Sequence, residues 1–165
     1  VQYTKIIARD GESWNNEVVI DKGSIAGIKE GMAVVGAKGM IGTVTQVSEI
    51  SSTVSLLSSE NAKSQLPVMI IDGENEYYGL LNRYDLKTKS YRVTLLSDLE
   101  KISENAKVVT SGLGGVGKSP KGILIGTVKD YSIGDEATES ICTVTPSADF
   151  NSLNYVAVVQ RVNTE

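Results

Sequence analysis

The stretch of this sequence that most plainly spells a chemistry is Gly112-Leu-Gly-Gly-Val-Gly-Lys-Ser119, a full match to the phosphate-binding pattern G-x-x-x-x-G-K-[ST]. Gly112, Gly114 and Gly117 also satisfy the looser dinucleotide pattern G-x-G-x-x-G. In such a loop the glycines let backbone N–H groups close round the phosphates, the lysine reaches the phosphoryl oxygens and the hydroxyl holds magnesium. Both patterns work only where the loop opens a helix, whose free N–H groups and dipole hold the anion. Here Pro120 follows Ser119, Gly122 comes soon after, and the next run, Ile123-Leu-Ile-Gly-Thr-Val128, is β-branched with a glycine inside it. The expected element after the loop is therefore a strand, and the expected role of the glycines is a long connection between strands. A P-loop-like nucleotide-binding protein using Gly112 to Ser119 is the alternative reading.

The other chemistries are poorly supplied. The chain has no histidine, which removes Ser-His-Asp and Cys-His catalysis, the HExxH zinc site and every imidazole ligand. A chymotrypsin-like barrel would lack its general base. No S-x-x-K, G-x-S-x-G or Asp-[ST]-Gly signature occurs. Acids at Asp72, Glu74 and Glu76 alternate like the start of a calcium loop, but Tyr77 stands where the loop needs glycine, so an exposed acidic hairpin is expected. The single Cys142 can form neither an internal disulfide nor a C-x-x-C site. A net charge of −4 and a pI near 5.0 argue against a nucleic-acid surface. The expectation is a protein that is not an enzyme, with no catalytic residue, cofactor or metal. Trp14, in Glu-Ser-Trp-Asn-Asn, is either a half-buried anchor at a lobe edge or a partner contact.

These residues must be positioned by strands. Val, Ile and Thr make 45 of the 165 residues, with 16 Gly and only 3 Pro. Twelve short apolar or alternating runs recur, at 3–8, 17–21, 32–35, 40–47, 53–57, 65–71, 77–83, 91–96, 107–110, 123–130, 140–145 and 155–162. Residues 24–30 and 97–106 could each hold a turn or two of helix. Twelve strands exceed one small barrel, and an internal repeat is visible: residues 31–47 resemble 105–109 continued at 121–131, with a Gly-rich expansion between. The predicted fold class is all-β, two small six-stranded β-barrels with very little helix. Dividing the strands into two sets of about six predicts a discontinuous first barrel of residues 1–35 and 100–165 and an inserted second barrel of 36–99.

Seven blocks carry a resemblance. They are Ile7-Ala-Arg-Asp-Gly-Glu-Ser-Trp-Asn-Asn16, Ile20-Asp-Lys-Gly-Ser24, Gly27-Ile-Lys-Glu-Gly-Met-Ala-Val-Val35, Gly39-Met-Ile-Gly-Thr-Val44, Val109-Thr-Ser-Gly-Leu-Gly-Gly115, Gly122-Ile-Leu-Ile-Gly-Thr-Val128 and Pro146-Ser-Ala-Asp-Phe150. In that order they resemble the extracytoplasmic domain of the MreC family of rod-shape-determining proteins. The resemblance implies a non-enzymatic scaffold of the bacterial elongation machinery, organising peptidoglycan synthesis. Its implied partners are MreD, RodA, a class B penicillin-binding transpeptidase and, indirectly, the MreB filament. It also implies a homodimer in the full-length protein, and anchoring at the outer face of the cell membrane by a helix preceding Val1. The family-motif loop Ser111, Gly112, Leu113, Gly114 and Gly115, together with Trp14, is the candidate partner-binding or structural site. One departure stands out: where the family usually has an aromatic-proline turn, this chain has Val116-Gly-Lys-Ser-Pro-Lys121, which creates the P-loop match.

Overall fold

The computed structural model describes residues 1–10, 16–59, 66–96, 102–113, 120–132, 139–151 and 153–159. Along the chain these form β1 (Gln2–Asp10), β2 (Glu17–Ile20), a turn of 3-10 helix (Ser24–Ala26), β3 (Ala33–Gly36), β4 (Gly39–Val47) and β5 (Ser52–Leu56). Then come β6 (Leu66–Asp72), β7 (Asn75–Asp85), β8 (Ser90–Leu95), β9 (Lys107–Thr110), β10 (Leu124–Ser132), β11 (Ile141–Pro146) and β12 (Tyr155–Val159). Every expected run contains a strand among the described residues; positions 160–162 of the last run lie outside them. The longest extension is β7, which gains its N-terminal residues where Asp72 pairs with Asn75 across a two-residue turn whose Gly73 has φ +62°, and its C-terminal ones where Asp85 pairs with Ser90. Of the expected helical turns, only Ser24–Ala26 is helical among the described residues.

The strands close into two antiparallel six-stranded barrels, ordered β1-β12-β3-β4-β5-β2 and β10-β11-β8-β7-β6-β9. Burial alternates along the strands, as in β5 (Ser52, Val54 and Leu56 inward) and β8 (Tyr91, Val93 and Leu95 inward). Val18, Ile20, Val34, Ile41, Val54 and Val158 fill the first barrel; Val68, Ile70, Tyr91, Val93, Val108 and Ile125 fill the second. Each such side chain contributes about 1.5–3 kcal/mol by leaving water.

The barrel boundaries differ from those expected by dividing the strand runs. The strands of 36–99 do not form one barrel: β4 and β5 complete the barrel that also holds β1 and β12, and the inserted barrel runs from β6 to β11. The reason is local. β3 and β4 are a tight hairpin with Gly36 opposite Gly39, so a boundary at 35/36 would cut paired strands apart. Residues 36–99 hold five strands, β4 to β8, and leave seven outside, whereas the observed pairing divides the twelve into six and six.

The two barrels share one cyclic order. Replacing β1, β2, β3, β4, β5 and β12 by β7, β8, β9, β10, β11 and β6 turns the first neighbour list into the second. The inserted barrel is therefore a circular permutant of its host, with the strand that comes last in one coming first in the other. Irregularities correspond as well. Register shifts at Val44/Gln46 and Val128/Asp130 occupy equivalent places, as do those at Ile6/Ala8 and Leu81/Arg83. Gly31, with φ +88°, donates its N–H to the Val44 carbonyl at 2.8 Å; its counterpart Asn105, with φ +65°, donates to Val128 at 3.0 Å.

The barrels meet through an apolar seam. Ala33 and Met40 of the first belong to the same buried cluster as the interior of the second, with Val35, Leu57, Phe150 and Val159 packed against it. At Gly39 the approach is so close that a Cβ would fall 2.2 Å from Ser147 Oγ.

The duplicated glycines make a stability test. A Cβ at Gly42 would lie 2.2 Å from the Ser55 carbonyl oxygen, and one at Gly126 would lie 2.1 Å from that of Thr145. Gly126→Ala is expected to destabilise by about 2–3 kcal/mol through overpacking against backbone. Gly73→Ala has nothing within 4 Å and carries only the left-handed backbone penalty, about 1–2 kcal/mol. Urea denaturation of the two variants checks the ranking.

Candidate functional site

The glycine loop leaves β9 at Thr110 and enters β10 at Leu124, and its base is pinned on both sides. Thr110 is fully buried; its hydroxyl donates to the Pro120 carbonyl and accepts the Ile123 N–H at 2.9 Å. Its backbone N–H reaches the Ile123 carbonyl at 2.9 Å, and Gly122 returns an N–H to Thr110 at 2.9 Å. Ser111 is buried, donates its N–H to Pro67 at 3.2 Å and accepts the Leu113 N–H on Oγ at 3.4 Å. Gly112 has φ +75°, and a Cβ there would meet Lys121 at 3.0 Å. Ser111 and Gly112 thus shape the neck of the loop, while Leu113 is 67% exposed. Gly114, Gly115 and Trp14 lie outside the described residues, as do the remaining residues of the phosphate pattern up to Ser119.

The alternative nucleotide reading is corrected here. Pro120 is irregular, Lys121 and Gly122 form a turn, and the chain then enters β10, so the element following the loop is a strand. The helix terminus on which the pattern depends for anion binding is not what Lys118 and Ser119 lead into. Asp72 of the acidic hairpin uses Oδ2 to accept the Ser103 N–H at 3.0 Å. Among the described residues no group of three or more His, Cys, Asp or Glu converges to hold a metal ion.

A second feature, with no sequence motif behind it, is a cleft of about 430 Å³ beside the seam. Tyr84, Leu86, Pro146, Ala148 and Phe150 give it an apolar wall, and Arg9, Asn16, Ser58 and Lys89 give it a polar one. Arg9 donates to the Phe150 carbonyl, tying β1 to the return crossing between barrels. Asn16 donates Nδ2–H to Ser58 Oγ at 2.8 Å, leaving its Oδ1 buried without a partner. Behind the wall Tyr84 makes edge contacts with Tyr91 (5.8 Å) and Phe150 (6.3 Å). Burial, and then the Asp85 charge, push the Tyr84 phenol upward; burial, and then Tyr84, do the same to Tyr91. Both phenols stay neutral at physiological pH, so the cleft offers shape, donors and apolar surface. Its residues come from five separated segments: Arg9 and Asn16 fall within the first resemblance block and Pro146 to Phe150 within the last, while Ser58 and the segment from Tyr84 to Lys89 fall in none.

Together these features define an all-β tandem-barrel domain, one barrel inserted in the other, with a clamped surface loop and a cleft at the junction. Residues 6–160 match the family described as rod shape-determining protein MreC, barrel core. The chain belongs to the MreC family, whose members are cell shape-determining proteins. The cell shape-determining protein MreC of Listeria monocytogenes is 38% identical over 94% of this chain, which spans 52% of that relative. A solved structure of Listeria MreC superposes with a TM-score of 0.88 at 38% identity, covering 97% of this chain and 75% of the other. The major periplasmic domain of the cell shape-determining filament MreC gives 0.87 at 28% identity, with 98% of each chain covered. MreC of Helicobacter pylori, solved in complex with penicillin-binding protein PBP2, shares the fold at 18% identity (TM-score 0.68, 95% of this chain and 98% of that one).

Cys142 tests the second barrel from inside. Burial, reinforced by the Asp130 charge, pushes its thiol from about 9 up to about 12. Native protein at pH 8 is expected to resist maleimide labelling, which needs the thiolate, and to label within minutes once unfolded. An unfolded chain ionises this thiol above pH 9 while the folded chain keeps it protonated to about 12. The stabilisation is therefore full below pH 9 and falls as pH rises toward 12, by at most about 1.4 kcal/mol per unit. Denaturation midpoints between pH 8 and 11, compared with Cys142→Ala, measure that slope.

Proposed function

We propose that this chain is the extracytoplasmic part of a non-enzymatic scaffold of the cell-elongation machinery, maintaining cell shape by organising peptidoglycan synthesis enzymes. The observation that carries the reading is the match to the MreC barrel core across 6–160, with both barrels superposing on a periplasmic MreC domain. The lack of histidine and the neutral phenols and thiol support a role in binding. A class B penicillin-binding transpeptidase is the first partner in this proposal, because a fold relative is solved with PBP2. MreD, RodA and, indirectly, MreB complete it, with a membrane helix and a dimerising segment preceding these barrels in the whole protein. Nucleic acid is not among the proposed partners.

The test is direct binding of this chain to the extracytoplasmic part of a class B transpeptidase from the same bacterium. The expected dissociation constant is about micromolar, tightened about 100-fold when two copies are joined through a parallel coiled coil. No binding at about 100 μM in either form would overturn the proposal. Calorimetry with millimolar Mg-ATP is expected to be silent, and equally so for Lys118→Ala.

A further inference from the structure

The outer face of β7 and β8 sets two like charges directly against each other. The register pairs Arg83 with Arg92, next to the inward pair Tyr84 and Tyr91. Like charges opposite one another across an antiparallel pair are destabilising. Relief from a neighbouring carboxylate would be the ordinary solution, and the structure does not use it. Neither guanidinium has a hydrogen-bond or ionic partner among the described residues. Asp85 instead accepts the N–H groups of Lys87 (2.9 Å) and Thr88 (3.4 Å) on Oδ1. Asp130 lies two strands away, beyond Thr143, accepts the Tyr131 N–H at 2.9 Å, and adjoins exposed Lys129. In a chain of net charge −4 this face is locally positive.

The neighbouring row is apolar. Leu80 pairs with Thr94, and Thr94 with Ile141, so two half-buried aliphatic side chains flank one threonine on the same face. The register shift between Leu81 and Arg83 adds a residue to β7 at this point, and Asn82 donates to Thr94 Oγ1 across the pair. Each arginine carries five N–H donors in a planar fork suited to a carboxylate.

We propose that this face is a docking site for an acidic segment of a protein partner, with carboxylates held by Arg83 and Arg92 and an apolar side chain between Leu80 and Ile141. Charge complementarity selects the acidic partner; the aliphatic row selects a protein over a phosphate-bearing lipid surface, which would leave that row unused. The proposal does not depend on the cell-elongation reading, since it follows from the register alone.

The test follows the arginine Nε–H NMR signals of the whole chain during titration with acetyl-Glu-Ile-Glu-Ile-Glu-amide. Both signals are expected to shift with a millimolar dissociation constant, about tenfold tighter than for the same peptide with glycine in place of isoleucine. The shifts should vanish in 1 M NaCl and in the Arg83→Gln, Arg92→Gln variant. No shift at about 10 mM peptide, equal affinity for the glycine peptide, or tighter binding to phosphatidylglycerol vesicles overturns the proposal. A second readout needs no ligand: Arg83→Gln should raise the melting temperature by about 1–3 °C at low salt, the gap closing in 1 M NaCl. A fall in melting temperature would show that Arg83 is held for packing, and would equally overturn the proposal.

Discussion

A six-stranded antiparallel sheet must curl tightly to meet its own edge, and everything else in this molecule follows from that closure. Six strands enclose little volume, so the interior takes mainly Val, Ile and Leu, with two large rings, Tyr84 and Tyr91, in the second barrel. Tight curling also needs corners. The extra residues at Val44/Gln46 and Val128/Asp130 bend the strands, and Gly42 and Gly126 let the backbone of the paired strand come within a distance no Cβ allows. In return no edge among the described strands is left open to pair with another chain, which is the usual hazard of a β-rich protein.

The strands themselves were legible because their cause is local. Alternation, β-branching and turn residues act over four to eight positions, and twelve such runs gave twelve strands. The repeat was legible for the same reason: Gly31 with Gly42, and Asn105 with Gly126, are corner residues at matched intervals once the loop expansion is set aside. The partition into barrels was not legible. Which strand closes a sheet depends on pairing between residues as far apart as Gln2 and Val158, and no local preference encodes it. Circular permutation hides it further, since sequence-adjacent β5 and β6 belong to different barrels while β1 and β12 are neighbours.

The site divides in the same way. Pro120 and the β-branched run after it exposed the phosphate pattern as coincidental, because helix formation is a local matter that those residues veto. Ser111 and Gly112 could be singled out by type, but their work at the neck depends on Thr110, Pro67 and Lys121, which only the folded pairing brings near. The junction cleft was invisible for a plainer reason: Arg9, Asn16, Ser58, Tyr84 and Phe150 share no spacing, only a place.

The pairing of β1 with β12 has a mechanical side. Gln2 lies opposite Val158, so the two ends of the described chain leave the molecule at the same corner, side by side and antiparallel. The chain passes between host and inserted barrel twice, from β5 to β6 and from β11 to β12, and the apolar seam joins the two barrels as well. A pull applied at that corner would open the β1–β12 ladder one bond at a time, like a zip, while the inserted barrel, off the line of force, would ride along unloaded. A load entering through the inserted barrel would instead be carried in parallel by both crossings and the apolar seam. The same architecture is thus compliant at its root and stiff at its far end.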